Sequence, residues 1–136
     1  MSYLDNLDKY FDLNIVINTP QKRVLLIASS DIAALTKIIQ TYAYEQLTFI
    51  TAIDLSGTKQ IELVYQFTTL NTNKRLELHT HIAYEKLFIA TISHMWPQAI
   101  FYEQELHEGF GIEFLGHDIK SDFVLKNTAT KHPLRK

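Results

Sequence analysis

Between Ile61 and Ile82 the chain alternates apolar and polar side chains twice over. Ile61, Leu63, Tyr65 and Phe67 alternate with Glu62 and Gln66; Leu76, Leu78, Thr80 and Ile82 alternate with Arg75, Glu77, His79 and His81. A period of two sends successive side chains to opposite faces of a pleated strand, so each segment buries one face and leaves the other polar. With Asn71-Thr72-Asn73 as the turn between them, the two segments read as half-buried antiparallel strands. A sheet with one apolar face has to be covered, and the rest of the sequence supplies the cover.

Two β-like runs come first, Leu13–Asn18 and Arg23–Ala28, separated by Thr19-Pro20-Gln21-Lys22 as a hairpin connection. The run Leu47–Ile53 is mostly apolar and β-rich, as in a strand covered on both faces, and Ser56-Gly57 supplies the turn after it. Helical spacing appears over 2–11, in Tyr3, Leu4, Leu7, Tyr10 and Phe11. It recurs over about 31–46, with Ser29 or Ser30 as cap and Ile32, Leu35, Ile38, Ile39 and Tyr42 as stripe. After residue 84 the pattern is read as helical again through Leu87, Ile92 and Met95. Pro97 then opens a further helix that runs to about Glu108 and stops at Gly109-Phe110-Gly111. A short strand, Ile112–Leu115, and an irregular tail follow. The order predicts an α+β domain over 1–115, with helices packed on a mainly antiparallel sheet, and an extended segment over 116–136 for contact with a partner.

The length of 136 residues fits one domain. Without cysteine, the chain supplies no disulfide, iron–sulfur cluster or thiolate zinc site. A net charge of −2 gives no domain-wide basic field for nucleic acid. Its distribution is uneven: net +3 from Gly116 onward and −5 before it. That split suggests a tail aimed at an acidic neighbour. Met1 to Asp12 lacks the basic opening of a signal peptide, and no apolar run reaches the roughly 18 residues of a membrane-spanning helix. Membrane association is therefore expected through partners.

Catalytic signatures are missing from the sequence: it has no G-x-S-x-G and no P-loop, and its single Gly-x-Gly, Gly109-Phe110-Gly111, follows a helix instead of opening one. Asp54, at the end of an apolar strand, reads as a turn residue or a buried carboxylate. Glu103, Glu105 and Glu108 crowd the end of the last helix, where the macrodipole disfavours negative charge. Either cations neutralise them or they do chemistry. Glu103 and His107 at i, i+4, with His79 and His81 on one strand face, make a weak His/Glu metal set, the reading of a small metalloenzyme. Trp96, Phe101, Tyr102 and Phe110 beside these acids fit a protein–protein interface, or ordinary core aromatics.

The stretch from Trp96 to Ile112, WPQAIFYEQELHEGFGI, resembles the signature W-P-x-A-x-W-x-E-R-E-x-x-D-x-F-G-I. Gly116-His117 matches that family's Gly-His-Pro, and His132-Pro133-Leu134-Arg135-Lys136 its closing H-P-L-R-K. Asp54 and Tyr65 fit its middle part. On these residues the chain resembles the 30 kDa subunit of respiratory complex I, the proton-pumping NADH:quinone oxidoreductase. Related chains serve membrane-bound energy-converting nickel–iron hydrogenases and formate hydrogenlyases. Gln104 replaces the signature's Arg, Glu108 its Asp and Asp118 the Pro after Gly-His; Ser121-Asp122 stands for the usual Arg-Arg. These departures, the short length and the His107-Glu108 pair lean toward the hydrogenase-type branch and leave both branches open.

The resemblance implies a complex I 30 kDa subunit-like fold and a non-catalytic structural subunit of the peripheral arm, on the cytoplasmic side of the inner membrane. It implies no cofactor in this chain. The implied partners are the large subunit that forms the quinone (or nickel–iron) site and the small iron–sulfur subunit. The expected interface residues are Trp96, Phe101, Glu103, Glu105, Glu108, Phe110, His117, Arg135 and Lys136.

Overall fold

The computed structural model describes residues 11, 13–42, 44, 46–70 and 73–116. The helix expected over 2–11 lies outside them apart from Phe11, and so does the C-terminal segment from His117 onward, with Arg135 and Lys136.

Five strands form one sheet: β1 (Leu13–Asn18), β2 (Lys22–Ile27), β3 (Gln46–Leu55), β4 (Gln60–Thr68) and β5 (Arg75–Ala83). Their order across the sheet is β1-β2-β5-β4-β3. The β1–β2, β3–β4 and β4–β5 pairs are antiparallel, and β2 pairs with β5 in parallel. The topology follows from the connections. After β2 the chain crosses by a helix to the far edge, then returns by two hairpins until β5 lies beside β2. The expected α+β class, mainly antiparallel, is the architecture observed.

Each hairpin has a local cause. Thr19 Oγ1 donates to the Lys22 carbonyl at 2.9 Å and accepts the Lys22 N–H at 3.0 Å, closing the β1–β2 turn. The β3–β4 turn places Lys59, not Gly57, at positive φ (55°). The Thr58 N–H, bonded to the Leu55 carbonyl at 3.1 Å, sets that turn. At the β4–β5 connection the Thr69 N–H donates to the Lys74 carbonyl at 3.0 Å.

The first helix, α1 (Ile32–Ile39), is shorter than the periodicity predicts. Ser29–Asp31 and Gln40–Tyr42 form single 3-10 turns at its two ends, and no side chain caps its start. The inward stripe, Ile32, Leu35, Thr36 and Ile39, is buried against the sheet. The second helix, α2 (Ala99–Phe110), ends at Gly111, which adopts the left-handed conformation (φ 81°) and donates its N–H to the His107 carbonyl. That conformation is the one glycine takes without a Cβ penalty.

Two expectations are corrected. Two-sided cover does not fall on the run Leu47–Ile53. Strand β3 is an edge strand with Ile53 47% exposed, whereas β4, flanked on both sides, buries Val64 and Gln66 on the face opposite the core. Strand order, and not apolar composition, decides which strand is covered on both faces. The segment after residue 84 is not a helix either. It holds a 3-10 turn (Tyr84–Lys86) and strand β6 (Phe88–Ala90), which pairs in parallel with β7 (Glu113–Leu115). The helix-like spacing of Ile92, Met95 and Trp96 comes from one turn, in which the Met95 and Trp96 N–H groups both reach the Ile92 carbonyl.

One buried cluster joins the inner face of the sheet to α1, α2 and the β6–β7 pair. Within it Phe67 and Trp96 meet with ring centroids 4.8 Å apart. Because Leu78 is fully buried in the middle of β5, Leu78→Ala should destabilise the chain by about 2–5 kcal/mol. Ile53→Thr on the exposed edge should change stability by less than about 0.5 kcal/mol. Urea unfolding midpoints of the two variants distinguish a central from an edge position.

Candidate partner interface

Helix α2 carries the densest set of expected interface residues, and its winding sorts them. Ala99, Glu103, Leu106 and Phe110, spaced by four, three and four, face inward and are buried. Phe101, Glu105 and Glu108 fall on the opposite side of the wheel. Phe101 is 74% exposed, and Ile100 beside it is also open to solvent. Phe101, Gln104, Glu105 and Glu108 line a shallow cavity of about 210 Å³. This is an aromatic side chain rimmed by two carboxylates and an amide.

Trp96, Glu103 and Phe110 are corrected as surface residues. Trp96 is 1% exposed and Phe110 is buried in the same cluster. A helix laid on a sheet buries one stripe, and these side chains belong to it or to the turn leading into it. The aromatics therefore divide: Trp96 and Phe110 pack the core and Phe101 remains outside. Tyr102 is half-buried, and its hydroxyl donates to the Thr48 carbonyl at 2.8 Å, fastening α2 to edge strand β3.

Glu103 is 0% exposed. Its Oε1 accepts the Thr91 hydroxyl at 2.5 Å and its Oε2 accepts the Ile92 N–H at 2.9 Å. Thr91 Oγ1 in turn accepts the Ser93 N–H at 3.0 Å. One carboxylate thus ties the middle of α2 to the turn after β6. Tyr65, fully buried nearby, has its hydroxyl pushed far above the ordinary tyrosine range, by burial first and by the Glu103 charge second. It stays neutral at any physiological pH. The carboxylate cluster expected at the helix end is therefore a pair, Glu105 and Glu108, because Glu103 is spent on internal structure.

The residues of the His/Glu metal reading are not brought together. His79 and His81 lie on the outer face of β5, opposite the side that α2 covers. The His79 Nε2 pairs with Glu77 Oε1 at 3.0 Å, and the His81 Nε2 with Glu62 Oε2 at 2.9 Å. His107 Nδ1 donates to the Ile112 carbonyl at 2.9 Å. Among the described residues no group of three or more His, Asp or Glu side chains converges in a geometry that could hold a metal ion. Asp54, left open between turn residue and buried carboxylate, lies in β3 and accepts the Tyr84 hydroxyl.

Gly116 explains part of the Gly-His match. Its φ is +90°, and a Cβ there would stand 3.1 Å from Thr91 Cγ2. Both the conformation and the crowding call for glycine where the chain leaves β7. Thr91 and Ile92, the partners of Glu103, carry no signal of their own in the sequence. The outward stripe of Phe101, Glu105 and Glu108 follows from the wheel once Ala99, Leu106 and Phe110 are taken as the inward face.

Removing the Glu103 carboxylate would leave the Thr91 hydroxyl and the Ile92 N–H buried without their acceptor. Glu103→Ala should cost about 3 kcal/mol or more. Glu103→Gln, which turns an N–H₂ group toward a donor, should cost about 2 kcal/mol. Glu105→Ala, on the surface, should stay within about 0.5 kcal/mol. Thermal and urea unfolding of the three variants checks the ranking.

Residues 25–136 match the family model described as the respiratory-chain NADH dehydrogenase 30 kDa subunit. An NADH-quinone oxidoreductase subunit of Rickettsia felis is 33% identical over 98 residues, 68% of this chain and 47% of that protein. The corresponding NADH-quinone oxidoreductase subunit of Roseobacter denitrificans is 31% identical over 114 residues, 81% of this chain and 57% of that protein. The chain thus spans about half the length of these curated relatives. Among solved structures, a chain of the membrane-bound sulfane sulfur reductase, an archaeal respiratory membrane complex, superposes with a TM-score of 0.85 at 21% identity, covering 97% of this chain and 80% of that one. The trypsin-resistant fragment of Nqo5 superposes with a TM-score of 0.73 at 18% identity, covering 88% of this chain and 100% of the fragment. The family match over most of the length, on a fold common to both structures, means that this chain belongs to the respiratory-chain NADH dehydrogenase 30 kDa subunit family.

Proposed function

We propose that the chain is a non-catalytic structural subunit in the peripheral arm of a membrane-bound NADH:quinone oxidoreductase. In this reading it supports electron transfer to quinone, coupled to proton translocation, by packing against the large subunit that forms the quinone site, close to the small iron–sulfur subunit. It holds no cofactor of its own and meets the membrane through its partners, on the cytoplasmic side. No helix among the described residues is long and apolar enough to cross a membrane, which is compatible with attachment through other subunits.

The observation that carries the reading is the outward face of α2. Family membership predicts partners, and Phe101 stands 74% exposed in the family's own signature, rimmed by Glu105 and Glu108. The helix core is already complete without it. Gln104, where the signature has Arg, lines the same cavity. An arginine there would offer a bidentate donor to a carboxylate; an amide leaves the patch more negative and suits a partner that brings the cation itself. The basic segment after Gly116, with His117, Arg135 and Lys136, would complete the contact on an acidic surface of a neighbour.

A second reading is the equivalent subunit of a related membrane-bound respiratory complex, of the energy-converting nickel–iron hydrogenase or formate hydrogenlyase type. The likeness to a chain of the archaeal sulfane sulfur reductase complex over 97% of the length favours keeping it. Co-purifying chains separate the two: flavin and NADH-binding subunits point to the first, and a nickel-binding large subunit with cysteine pairs to the second.

Affinity purification of the tagged chain from its native cells should bring down a large subunit and an iron–sulfur subunit; recovery as a lone species would overturn the proposal. Phe101→Ala and Glu105→Ala should each leave the isolated fold intact and weaken assembly, since breaking a desolvated interfacial contact costs about 2–5 kcal/mol. Equal assembly of both variants and the parent chain, on native gels or in pull-downs, would remove α2 from the interface.

A further inference from the structure

The two edges of the five-stranded sheet are treated differently. Edge strand β3 is fastened by α2, whose Tyr102 hydroxyl takes the Thr48 carbonyl at the β-bulge near the strand's start, and β3 carries the charged Asp54. Edge strand β1 has neither device. Its six residues, Leu-Asn-Ile-Val-Ile-Asn, include no charge and no proline, two of the usual guards of a free edge. Among the described residues its partner in the sheet is β2 alone. Three consecutive β-branched residues on it are open: Ile15 at 38%, Val16 at 61% and Ile17 at 40%. Since neighbours along a strand point to opposite faces, apolar surface is offered above and below the edge as well as along it. The register shift between Ile15 and Ile17 raises the local twist and, with the strand's short length, limits indiscriminate pairing, so that a partner has to match a twisted edge.

We infer that β1 is an augmentation edge: it receives an extended, predominantly apolar and uncharged segment of a partner subunit, which adds a sixth strand to the sheet. In such a contact main-chain hydrogen bonds supply attachment and alternate side chains find apolar neighbours or pockets. A cavity of about 260 Å³ lies inside this edge, at the end of β2, lined by Asn14 of β1 together with Leu26, Ile27, Ala28, Thr80 and His81. It opens where β2 ends while β5 continues, since the β2–β5 register stops at Leu26 and His79. An uncharged guest suits an uncharged edge; a charged one would lose hydration against Ile15 and Ile17 without a partner.

Area decides between a second copy and another subunit. A seam of six residues is about 20 Å long and about 10 Å deep. That is on the order of 200 Å² per side, far below the roughly 800 Å² per partner of a stable interface. Self-pairing through β1 would not hold two copies together. As one part of a broader contact with a subunit already docked elsewhere, the same seam suffices. The inference therefore rests on the proposed membership of a larger complex. Strand β1 itself lies outside residues 25–136, the part matched by the family.

The test is hydrogen–deuterium exchange on residues 13–18, in the complex purified from native cells and in the isolated chain. The expected result is at least tenfold slower exchange in the complex, with Val16→Lys lowering the yield of assembled complex about tenfold and Val16→Thr preserving it. Circular dichroism and unfolding midpoints unchanged in Val16→Lys would locate its effect at the edge and not in the fold. Equal exchange in both states, or normal assembly of Val16→Lys, overturns the inference and leaves the proposed function standing. Protection of β1 in a dimer of the isolated chain overturns the choice of a different subunit. A chain recovered only alone from native cells overturns the proposed function, and this inference with it.

Discussion

A buried carboxylate holds this molecule's second half in place. Glu103 sits in the middle of α2 with no exposure and receives the Thr91 hydroxyl and the Ile92 N–H. Taking a carboxylate out of water is costly, and the cost is offset only when charge-assisted hydrogen bonds replace its hydration. Such bonds are short and directional. They fix the rotation of α2 about its axis and the course of the chain after β6 together. Gln40 Nε2 adds a link from the end of α1 to the Met95 carbonyl at 2.7 Å, so both helices hold the same turn. The rotation of α2 is what puts Phe101 outside and Phe110 inside.

The sheet separates two chemistries. Its inner face, under both helices, is the continuous apolar core. On its outer face, carboxylates pair with imidazoles and a lysine: Glu62 with His81 and Lys22 Nζ with Glu77 Oε2 (3.5 Å) across strands, and Glu77 with His79 along β5. Exposed or half-exposed pairs of this kind contribute little to stability, at most about 1 kcal/mol. Their value is in keeping a polar face polar, so that the strands have one register with their apolar set inward. The exposed apolar surfaces lie elsewhere, on the outer side of α2 and along β1. Both are places where apolar side chains remain open after the core is complete.

Local pattern carries much of the strand content. The alternation over 61–67 and 76–82, the hairpin turn at Thr19 and the stop at Gly111 are each legible because their causes lie within a few residues. Helix α1 is shorter than its periodicity, since an apolar residue at the right spacing does not oblige the backbone to continue. The segment 84–98 departs from its pattern for a related reason. Its apolar spacing matches a helix, yet the Ile92 N–H is taken by Glu103, eleven residues further on, and Ile89 is drawn into a two-stranded pair with β7. At α2 the residue types point to an interface, but not their division into core and surface, because four aromatics and three acids close together do not say which of them face the sheet.

The amino-acid sequence by itself determined the class of fold, the inner faces of β4 and β5, the left-handed helix end and the family signature. All of these are written in spacings shorter than a helix or a hairpin, or in residue identities. Only the tertiary structure decided that β2 lies beside β5, that β3 and β1 are the edges, and that Glu103 is internal while Phe101 is free. Those outcomes depend on contacts between segments tens of residues apart. They are settled by which arrangement closes one core and satisfies its buried polar groups at the same time, a condition that no local window of sequence contains.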